Sequence, residues 1–365
     1  MSRPSVDAPS LRVPGTPVAP VTHAPSAPSA ARAIRAWMIA SALAVVLTLV
    51  VGGATRLTES GLSITEWKPV SGVLPPLDAA AWQQAYDAYL QIPEAQTVHR
   101  GITLPQFQTL FWWEWAHRLS ARIAGLVIAV PFLVLLLAGR IPSHLRFRLA
   151  SLPLLTAAQG ALGWYMVTSG LSDRTDVSQY RLVAHLSLAL AIYVIAAWTA
   201  FTVPVRRALV HRGALLIGGF AFLTIVSGGF VAGLDAGHIF NTFPRMGDGL
   251  VPPGYGQLSP AWRNLFENAA SVQFNHRVLA VITLLLVAGV AWRERRRHGA
   301  LSAPWVAMVG AVLVQVTLGI STLLLGVPLG IAALHQLGAV ALLTTAIWAA
   351  SAPVRVSPGQ SSGPS

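Results

Sequence analysis

The chain has 365 residues, of which 54% are hydrophobic and only 10% are charged, and its mean hydropathy is +0.60. Soluble globular domains carry roughly 25% charged residues, so this composition excludes a soluble domain and predicts an all-α integral membrane protein. The net charge of +12 would suggest a nucleic-acid partner in a soluble protein, and the absence of cysteine excludes disulfides and thiolate metal ligands. Histidine is therefore the expected protein ligand of any metal centre.

The apolar segments follow a polar N-terminus. Residues 1–31 are rich in Pro, Ala and Ser and are predicted to form a disordered tail, as are residues 353–365 at the other end. Between the tails, eight apolar runs have the length of about 20 residues that a membrane-spanning helix needs. These predicted spans lie at about 36–54, 115–138, 149–169, 182–203, 213–233, 273–292, 302–325 and 329–350.

The arginines cluster on one side of the predicted spans. They precede the first span and follow the second, fourth and sixth: Arg32, Arg35, Arg140, Arg146, Arg148, Arg206, Arg207, Arg212, Arg293, Arg295, Arg296 and Arg297. The positive-inside bias places these segments, and both termini, on the cytoplasmic or matrix side. The positive charge thus reflects topology, so no nucleic-acid partner is expected. The long segments 55–114 and 234–272 then lie on the outer face, where functional residues are expected.

The two halves of the chain resemble each other. GGATRLTESG (52–61) ends the first span and GGFVAGLDAG (228–237) ends the fifth, and an acid, Glu59 or Asp235, follows each Gly pair at the same distance. A His-Arg pair recurs in the second and sixth spans, and a Gln four residues before a Gly recurs in the third and seventh. We predict a parallel duplication that forms two pseudo-symmetric four-helix bundles, residues 32–208 and 209–352.

Four of the ten histidines lie inside predicted spans, each within about two turns of the outer end: His117, His185, His276 and His335. Two neutral imidazoles that face each other across a four-helix bundle are the usual scaffold for haem ligation. A single intramembrane histidine can equally make an interhelical hydrogen bond. Four histidines at one depth in a duplicated unit favour haem ligation.

Several motifs resemble the haem A synthase family in its cysteine-less, mitochondrial and α-proteobacterial form. They are GGATRLTESGLSITEWKPVSGVLPPL (52–77), FWWEWAHRLSARIAG (111–125), NHR (275–277) and LHQLGA (334–339), and the resemblance covers about residues 33–350. The resemblance implies an oxidoreductase that converts the C8 methyl group of haem O to the formyl group of haem A, by successive hydroxylations, for terminal oxidase assembly. It also implies a haem b cofactor ligated by His276 and His335, and a substrate haem near His117 and His185.

Glu114 lies three residues before His117, so the two side chains share one face of a helix. Together with the family motif, this spacing predicts a catalytic carboxylate that stabilises positive charge at the oxidised carbon or takes a proton from water. The alternative is a glutamate in the first turn of the helix that pairs with Arg118 at i+4. Gln273 is the counterpart of Glu114 in the second half, which suits a substrate site in the first half and a cofactor site in the second.

Other charged residues near the outer face have two interpretations each. Arg56, Arg118 and Arg277 are predicted to bind the haem propionates, or else to anchor helices at the lipid headgroups. Glu59, Glu66 and Lys68 either line the substrate cavity or belong to a solvated loop.

Two other functions are alternatives to that of an enzyme. Four axial histidines would serve a di-haem b membrane cytochrome equally well, although Glu114 and the large outer segments favour an enzyme. A haem or quinone transporter is disfavoured, because the polar residues cluster at one face rather than at the membrane midplane.

The expected location is a bacterial inner membrane, in preference to the mitochondrial inner membrane. Expected partners are the lipid bilayer, haem O, haem O synthase and the oxidase assembly machinery. The sequence does not identify the electron acceptor, and it is compatible with a homo-oligomer.

Overall fold

The computed structural model describes residues 27–69, 71–171, 174–203 and 210–352. Most of these residues form ten α-helices, and no β-strand occurs in the described ranges. The helices are α1 (Ala27–Leu57), α2 (Ala79–Tyr89), α3 (Pro93–Thr97), α4 (Leu104–Leu137), α5 (Arg146–Val167), α6 (Gln179–Thr202), α7 (Arg212–Gly233), α8 (Ala269–His298), α9 (Ala303–Leu324) and α10 (Leu329–Ser351). The predicted C-terminal tail, residues 1–26, Arg206 and Arg207 lie outside the described ranges.

Seven helices are long and apolar enough to cross a membrane, namely α1, α4, α6, α7, α8, α9 and α10. The protein is therefore a multi-pass membrane protein. Helix α5 coincides with the third predicted span and has 22 residues, but its sequence is not apolar enough to count as a span on composition. An eighth span at α5 stays a prediction.

Two helices begin about ten residues earlier than predicted. Helix α1 starts at Ala27, so residues 27–31, which the composition assigned to the tail, are helical. Helix α4 starts at Leu104, where Thr103 and Gln106 form a capping box and a proline occupies the first turn. Glu114 consequently lies in the third turn of α4, and the interpretation of Glu114 as a first-turn residue is wrong.

The outer segment between α1 and α4 is folded. It contains α2 and α3, and its own small core buries Leu62, Tyr89 and Ile92 against Phe107 and Phe111 of α4. Because this core lies directly before the level of His117 on α4, the segment forms a cap over the outer end of that helix. We refer to residues 58–69 and 71–103 as the outer cap, because the sequence analysis predicts them to lie on the outer face.

The long helices pack as a chain of neighbours. Helix α1 packs on α4 and α6, and α5 packs between α4 and α6; in the second half, α7 packs on α8 and α10, and α9 packs between α8 and α10. The halves meet where α1 contacts α10 and where α6 contacts α7. A single hydrophobic core joins them, with residues such as Met38, Leu190, Ile217, Met308 and Leu343 fully or almost fully buried.

The contacts between the halves recur at equivalent positions of the repeat. Gln336 of α10 lies so close to Gly53 of α1 that a methyl group at Gly53 would be 1.8 Å from its Oε1 atom. Leu186 of α6 approaches Gly229 of α7 in the same way, at 3.0 Å. Only the first contact is polar, because Gln336 Nε2 donates to the backbone oxygen of Leu49 at 2.9 Å.

Candidate functional site

Each of the four intramembrane histidines lies against a glycine of a neighbouring helix. A Cβ atom built on the glycine would be 2.6 Å from Cε1 of the imidazole for Gly52 and His117, 3.0 Å for Gly163 and His185, 3.1 Å for Gly228 and His276, and 2.8 Å for Gly319 and His335. Two of these distances are below 3.0 Å, so a side chain at Gly52 or Gly319 would displace the ring, and one at Gly163 or Gly228 would require the ring to shift by a few tenths of an ångström. We call the four glycines the glycine seats.

The four glycine seats lie at equivalent positions of the repeat that the sequence predicts. Gly52 and Gly228 begin the two Gly pairs, and Gly163 and Gly319 are the glycines four residues after a glutamine. The acids that follow the Gly pairs also match, because Glu59 and Asp235 both have a positive φ, at 49° and 47°. The sequence pattern marked these positions correctly, although it did not predict that the glycines contact the histidines.

The histidines form two pairs. His117 of α4 lies near His185 of α6, and His276 of α8 lies near His335 of α10. Nδ1 of His276 is 2.8 Å from Ser227 Oγ, and backbone oxygens of Thr48 and Gln315 lie near the rings of His117 and His335. A histidine whose Nδ1 faces an oxygen of the protein can bind a further group through Nε2, so these rings are suited to hold an additional bound group.

The depth of the histidines differs from the prediction in one case. His185, His276 and His335 lie six or seven residues after the first residue of α6, α8 and α10. His117 lies thirteen residues after the start of α4, because α4 extends outward into the outer cap. The depth of each histidine in the protein is therefore better predicted from the position of its glycine seat than from its distance to the start of its helix.

Haem fits this arrangement better than a bare metal ion does. The described residues contain no group of three or more His, Asp or Glu that could hold a metal ion. Paired neutral imidazoles in an apolar surrounding are suitable axial ligands for an iron that a macrocycle already holds on four sides. Because the seats are glycines, no side chain at these positions occupies the space of the imidazole rings.

Filling a glycine seat should release haem. Gly319→Ala should displace the His335 ring and lower the haem content of the purified protein by more than half, as measured by the absorbance of the haem bands per chain. Gly310→Ala is the matched control on the same helix, because a Cβ atom at Gly310 meets nothing within 4 Å. Equal haem content in the two variants would show that the seat does not position the ring.

Glu114 is buried, with 2% of its surface exposed, and both carboxylate oxygens have partners. Oε1 accepts from the guanidinium of Arg118 at 2.6 and 3.0 Å, while Oε2 accepts from Ser63 Oγ at 2.7 Å and from the backbone N–H of Ile64 at 2.6 Å. The i+4 pairing with Arg118 is therefore present. Glu114 fastens the cap segment around residues 63 and 64 to α4, one turn from His117.

Arg118 completes this attachment by donating to the backbone oxygens of Ile64 and Glu66, at 2.7 and 3.0 Å. The second half contains an equivalent set of hydrogen bonds. Gln273 donates to the backbone oxygen of Phe240, and Arg277 donates to the backbone oxygens of Phe240 and Thr242. We call each pair a clamp, because it holds the outer segment that follows the preceding Gly-pair helix.

The other predicted charged residues also have protein partners. Arg56 donates to Asp235 Oδ2 at 2.7 Å and so links the two halves. Glu66 and Lys68 form an ion pair in which both side chains are more than half exposed, as in a solvated loop. Glu59 is half exposed and lies 3.5 Å from Nε2 of His99.

The outer cap contains a buried titratable cluster that the sequence analysis missed. Tyr89 is fully buried and its hydroxyl is 2.6 Å from Nδ1 of His99 and 3.4 Å from Oε2 of Glu94. Burial, followed by the charges of Glu114 and Glu59, raises the pKa of Glu94 to about 8. Burial and the neighbouring carboxylates also raise the pKa of the Tyr89 hydroxyl. A lone His and Glu in a predicted loop gave no sequence signal for this cluster.

The fold defines a multi-pass membrane protein, and its paired histidines are of the type that ligates haem. Residues 35–347 match the family described as "Cytochrome oxidase assembly protein" (COX15-CtaA). The chain is 47% identical to a protein named "Heme A synthase" from Azorhizobium caulinodans, over 87% of this chain and 93% of that protein. It is 44% identical to the protein of that name from Parvibaculum lavamentivorans and 42% identical to the one from Nitrosospira multiformis, in each case over 86% of this chain and 92% of the relative. The chain belongs to the haem A synthase family of cytochrome oxidase assembly proteins.

Proposed function

We propose that this protein is a haem A synthase, which converts haem O to haem A for the assembly of terminal oxidases. Two pairs of partly buried histidines on glycine seats carry the proposal, because they occur in a chain at least 42% identical to relatives named for this activity. The reaction class is the oxidation of a methyl group: the C8 methyl of haem O becomes a formyl group through successive hydroxylations, with water as the source of oxygen.

His276 and His335 hold a haem b cofactor in this proposal, and His117 and His185 surround the iron of the substrate haem. Two asymmetries support the assignment. The carboxylate of Glu114 is present only beside the first pair, since the equivalent position carries Gln273. The helical outer cap with α2 and α3 lies only over the first half, while the corresponding segment of the second half contains only short 3-10 turns.

A bound haem supplies the redox chemistry, and the protein supplies position and charge. The seats orient the imidazoles of His117 and His185. The clamp of Glu114 and Arg118 holds the cap against α4 at the outer end of the first pair, and the charge of Glu114 favours positive charge that develops nearby. Because both oxygens of Glu114 already accept hydrogen bonds, this electrostatic and positioning role fits the geometry better than a role as proton acceptor.

The haem propionates are expected to bind at Arg56 and Arg277. Each of these side chains has a buried Nε atom without a hydrogen-bond partner in the described part of the chain, so each retains a donor for an anionic group. Arg118 is less suited to bind a propionate, because its Nε atom already donates a hydrogen bond to Glu114.

In the membrane, the proposed architecture has eight spans in two four-helix bundles. The ring of neighbours α1, α4, α5 and α6, repeated by α7, α8, α9 and α10, supports this arrangement. A basic last turn ends α8, and the relatives are bacterial, which supports a bacterial inner membrane with both termini in the cytoplasm.

The pigment of the detergent-purified protein tests the proposed function. We expect haem b alone after expression without a haem O synthase, and additional haem O, its hydroxylated form and haem A after co-expression with one. Extraction, chromatography and mass measurement identify each haem. Haem b in both preparations, without any oxidised product, would favour the di-haem cytochrome instead.

A further inference from the structure

The turn of α1 that carries the glycine seat of His117 also contacts the other half of the protein. Gly52 lies against the His117 ring, whereas the next residue, Gly53, lies against the side chain of Gln336 in α10. Gln336 Nε2 donates to the backbone oxygen of Leu49 at 2.9 Å, which is one helical turn before Gly53. A side chain of the second half therefore holds the turn on which a histidine of the first half rests.

The His117 ring and Gln336 contact neighbouring residues of this turn. The ring lies against Gly52, and the backbone oxygen of Thr48 lies near it. Residues 48 and 52 are four positions apart and share one face of the helix, and so do residues 49 and 53, which contact Gln336. The two sets are adjacent in the chain, so a shift of one moves the other.

A glycine at position 53 leaves room for the contact. A Cβ atom built on Gly53 would be 1.8 Å from Oε1 and 2.9 Å from Nε2 of Gln336, so any side chain there would push the carboxamide away. The carboxamide is therefore packed directly on the backbone of α1, and its hydrogen bond fixes how closely α10 and this turn approach each other.

The second half positions its histidine by a different group. Ser227 directly precedes the seat Gly228, and its Oγ atom is 2.8 Å from Nδ1 of His276. The equivalent residue of the first half is Val51, and a valine side chain cannot form a hydrogen bond with an imidazole. The first half therefore needs another group to fix its ring.

The contact between the halves has the opposite asymmetry. Gln336 follows His335 in the chain, and the residue that follows His185 is Leu186. Leu186 packs on Gly229, at 3.0 Å from a Cβ atom built there, but it cannot donate a hydrogen bond. A polar side chain thus acts once at each seat turn: a serine within the second half, and Gln336 across the interface for the first half.

We propose that Gln336 is a positioning residue of the first histidine pair. It holds the turn of α1 that carries Gly52 and thereby fixes the orientation in which the His117 imidazole meets the substrate haem. This inference rests on the proposed function, in which the first pair surrounds the iron of haem O. The substrate site of the first half is then incomplete without a residue of the second half.

Gln336→Met tests this role, because methionine is similar to glutamine in length and volume but cannot donate to Leu49. The affinity for haem O should fall about 3- to 10-fold, as expected for the loss of one interhelical hydrogen bond. The haem b content should stay unchanged, since His335 keeps its own seat at Gly319. The measurement is an absorbance titration with haem O of the haem b-loaded protein, purified from cells without a haem O synthase.

Leu186→Met is the matched control for this titration. It places the same side chain at the equivalent position of the repeat, but it exchanges one apolar residue for another and removes no hydrogen bond. The affinity for haem O and the haem b content should both match those of the wild-type protein.

Electron paramagnetic resonance distinguishes a reoriented ring from a general loss of packing. The signal of a low-spin ferric haem depends on the orientation of its axial imidazoles. In Gln336→Met the haem O signal should shift or broaden, because the His117 ring is no longer fixed, while the haem b signal should stay as in the wild-type protein.

Gly53→Ala provides a second variant that keeps Gln336 but displaces its carboxamide. It should weaken haem O binding and change the haem O signal in the same way as Gln336→Met. The double variant should show little additional loss, because both substitutions remove the same contact.

The outcomes separate the positioning role from the proposed function. Equal haem O affinity in Gln336→Met and Leu186→Met would overturn the positioning role alone. Weaker binding with an unaltered haem O signal would mean that the His117 ring keeps its orientation, and loss of haem b from Gln336→Met would mean that Gln336 supports the packing of both halves; either result would also overturn the role. A wild-type protein that binds haem b but no haem O would overturn the proposed function, and this inference with it.

Discussion

Glu114→Ala should reduce haem A formation by at least about 10²-fold, the largest effect expected in the first half of the chain. The substitution removes the acceptor of four hydrogen bonds and leaves the partly buried guanidinium of Arg118 without its carboxylate. Loss of one partner of a buried ion pair costs about 3–5 kcal/mol, so the cap segment around residues 63 and 64 should also detach. The measurement is the haem A yield per chain from purified protein supplied with haem O.

Two further variants separate the charge of Glu114 from its clamp. Ser63→Ala weakens the clamp but keeps the carboxylate, so a small loss of activity here would mean that charge matters more than attachment. Gln273→Ala weakens the equivalent clamp of the second half and should leave haem O oxidation much less affected. Full haem A formation by Glu114→Ala, with both haems bound, would remove Glu114 from the reaction altogether.

His276→Ala should remove haem b from the second half while haem O binding in the first half persists. The ring of His276 is held by Gly228 and Ser227, and no other described histidine occupies the same seat. We expect the haem b band to fall by more than half in the absorption spectrum of the purified variant, with haem A formation lost as a result.

The exposed residue His238, on the same outer face, provides the control for this experiment. His238→Ala should retain the haem b spectrum, because His238 lies in a surface turn and has no glycine seat. Retention of haem b in His276→Ala together with loss of haem O would exchange the roles of the two halves.

Much of the site could be predicted from the sequence because it follows a local repeat. His117, His185, His276 and His335 stand at equivalent positions of a duplicated pattern, and the structure brings them into two pairs. Most of the predicted spans also coincide with long apolar helices, since about 20 apolar residues suffice to define a span.

The remaining features depend on contacts between distant segments or on local signals that hydropathy does not detect. The start of α4 was misplaced because Phe107 and Phe111 pack inside the cap rather than in the membrane, although Thr103, Pro105 and Gln106 carry the usual signals of a helix start. The clamp of Glu114 joins residues 50 positions apart, and no spacing rule connects them. Tyr89 ends α2 and His99 follows α3, so their contact depends on the path of the chain between them.

The contact of Gln336 with Gly53 and the contact of Leu186 with Gly229 occupy equivalent positions in the two halves. In the numbering of the repeat, the same position of the last helix of one unit meets the same glycine of the first helix of the other unit. This reciprocity is the property of an isologous interface in a twofold dimer. The two halves therefore meet through equivalent contacts, as the subunits of a twofold dimer do. The equivalent positions are not chemically identical, because one contact uses Gln336 and the other Leu186, just as one half carries Glu114 and the other Gln273.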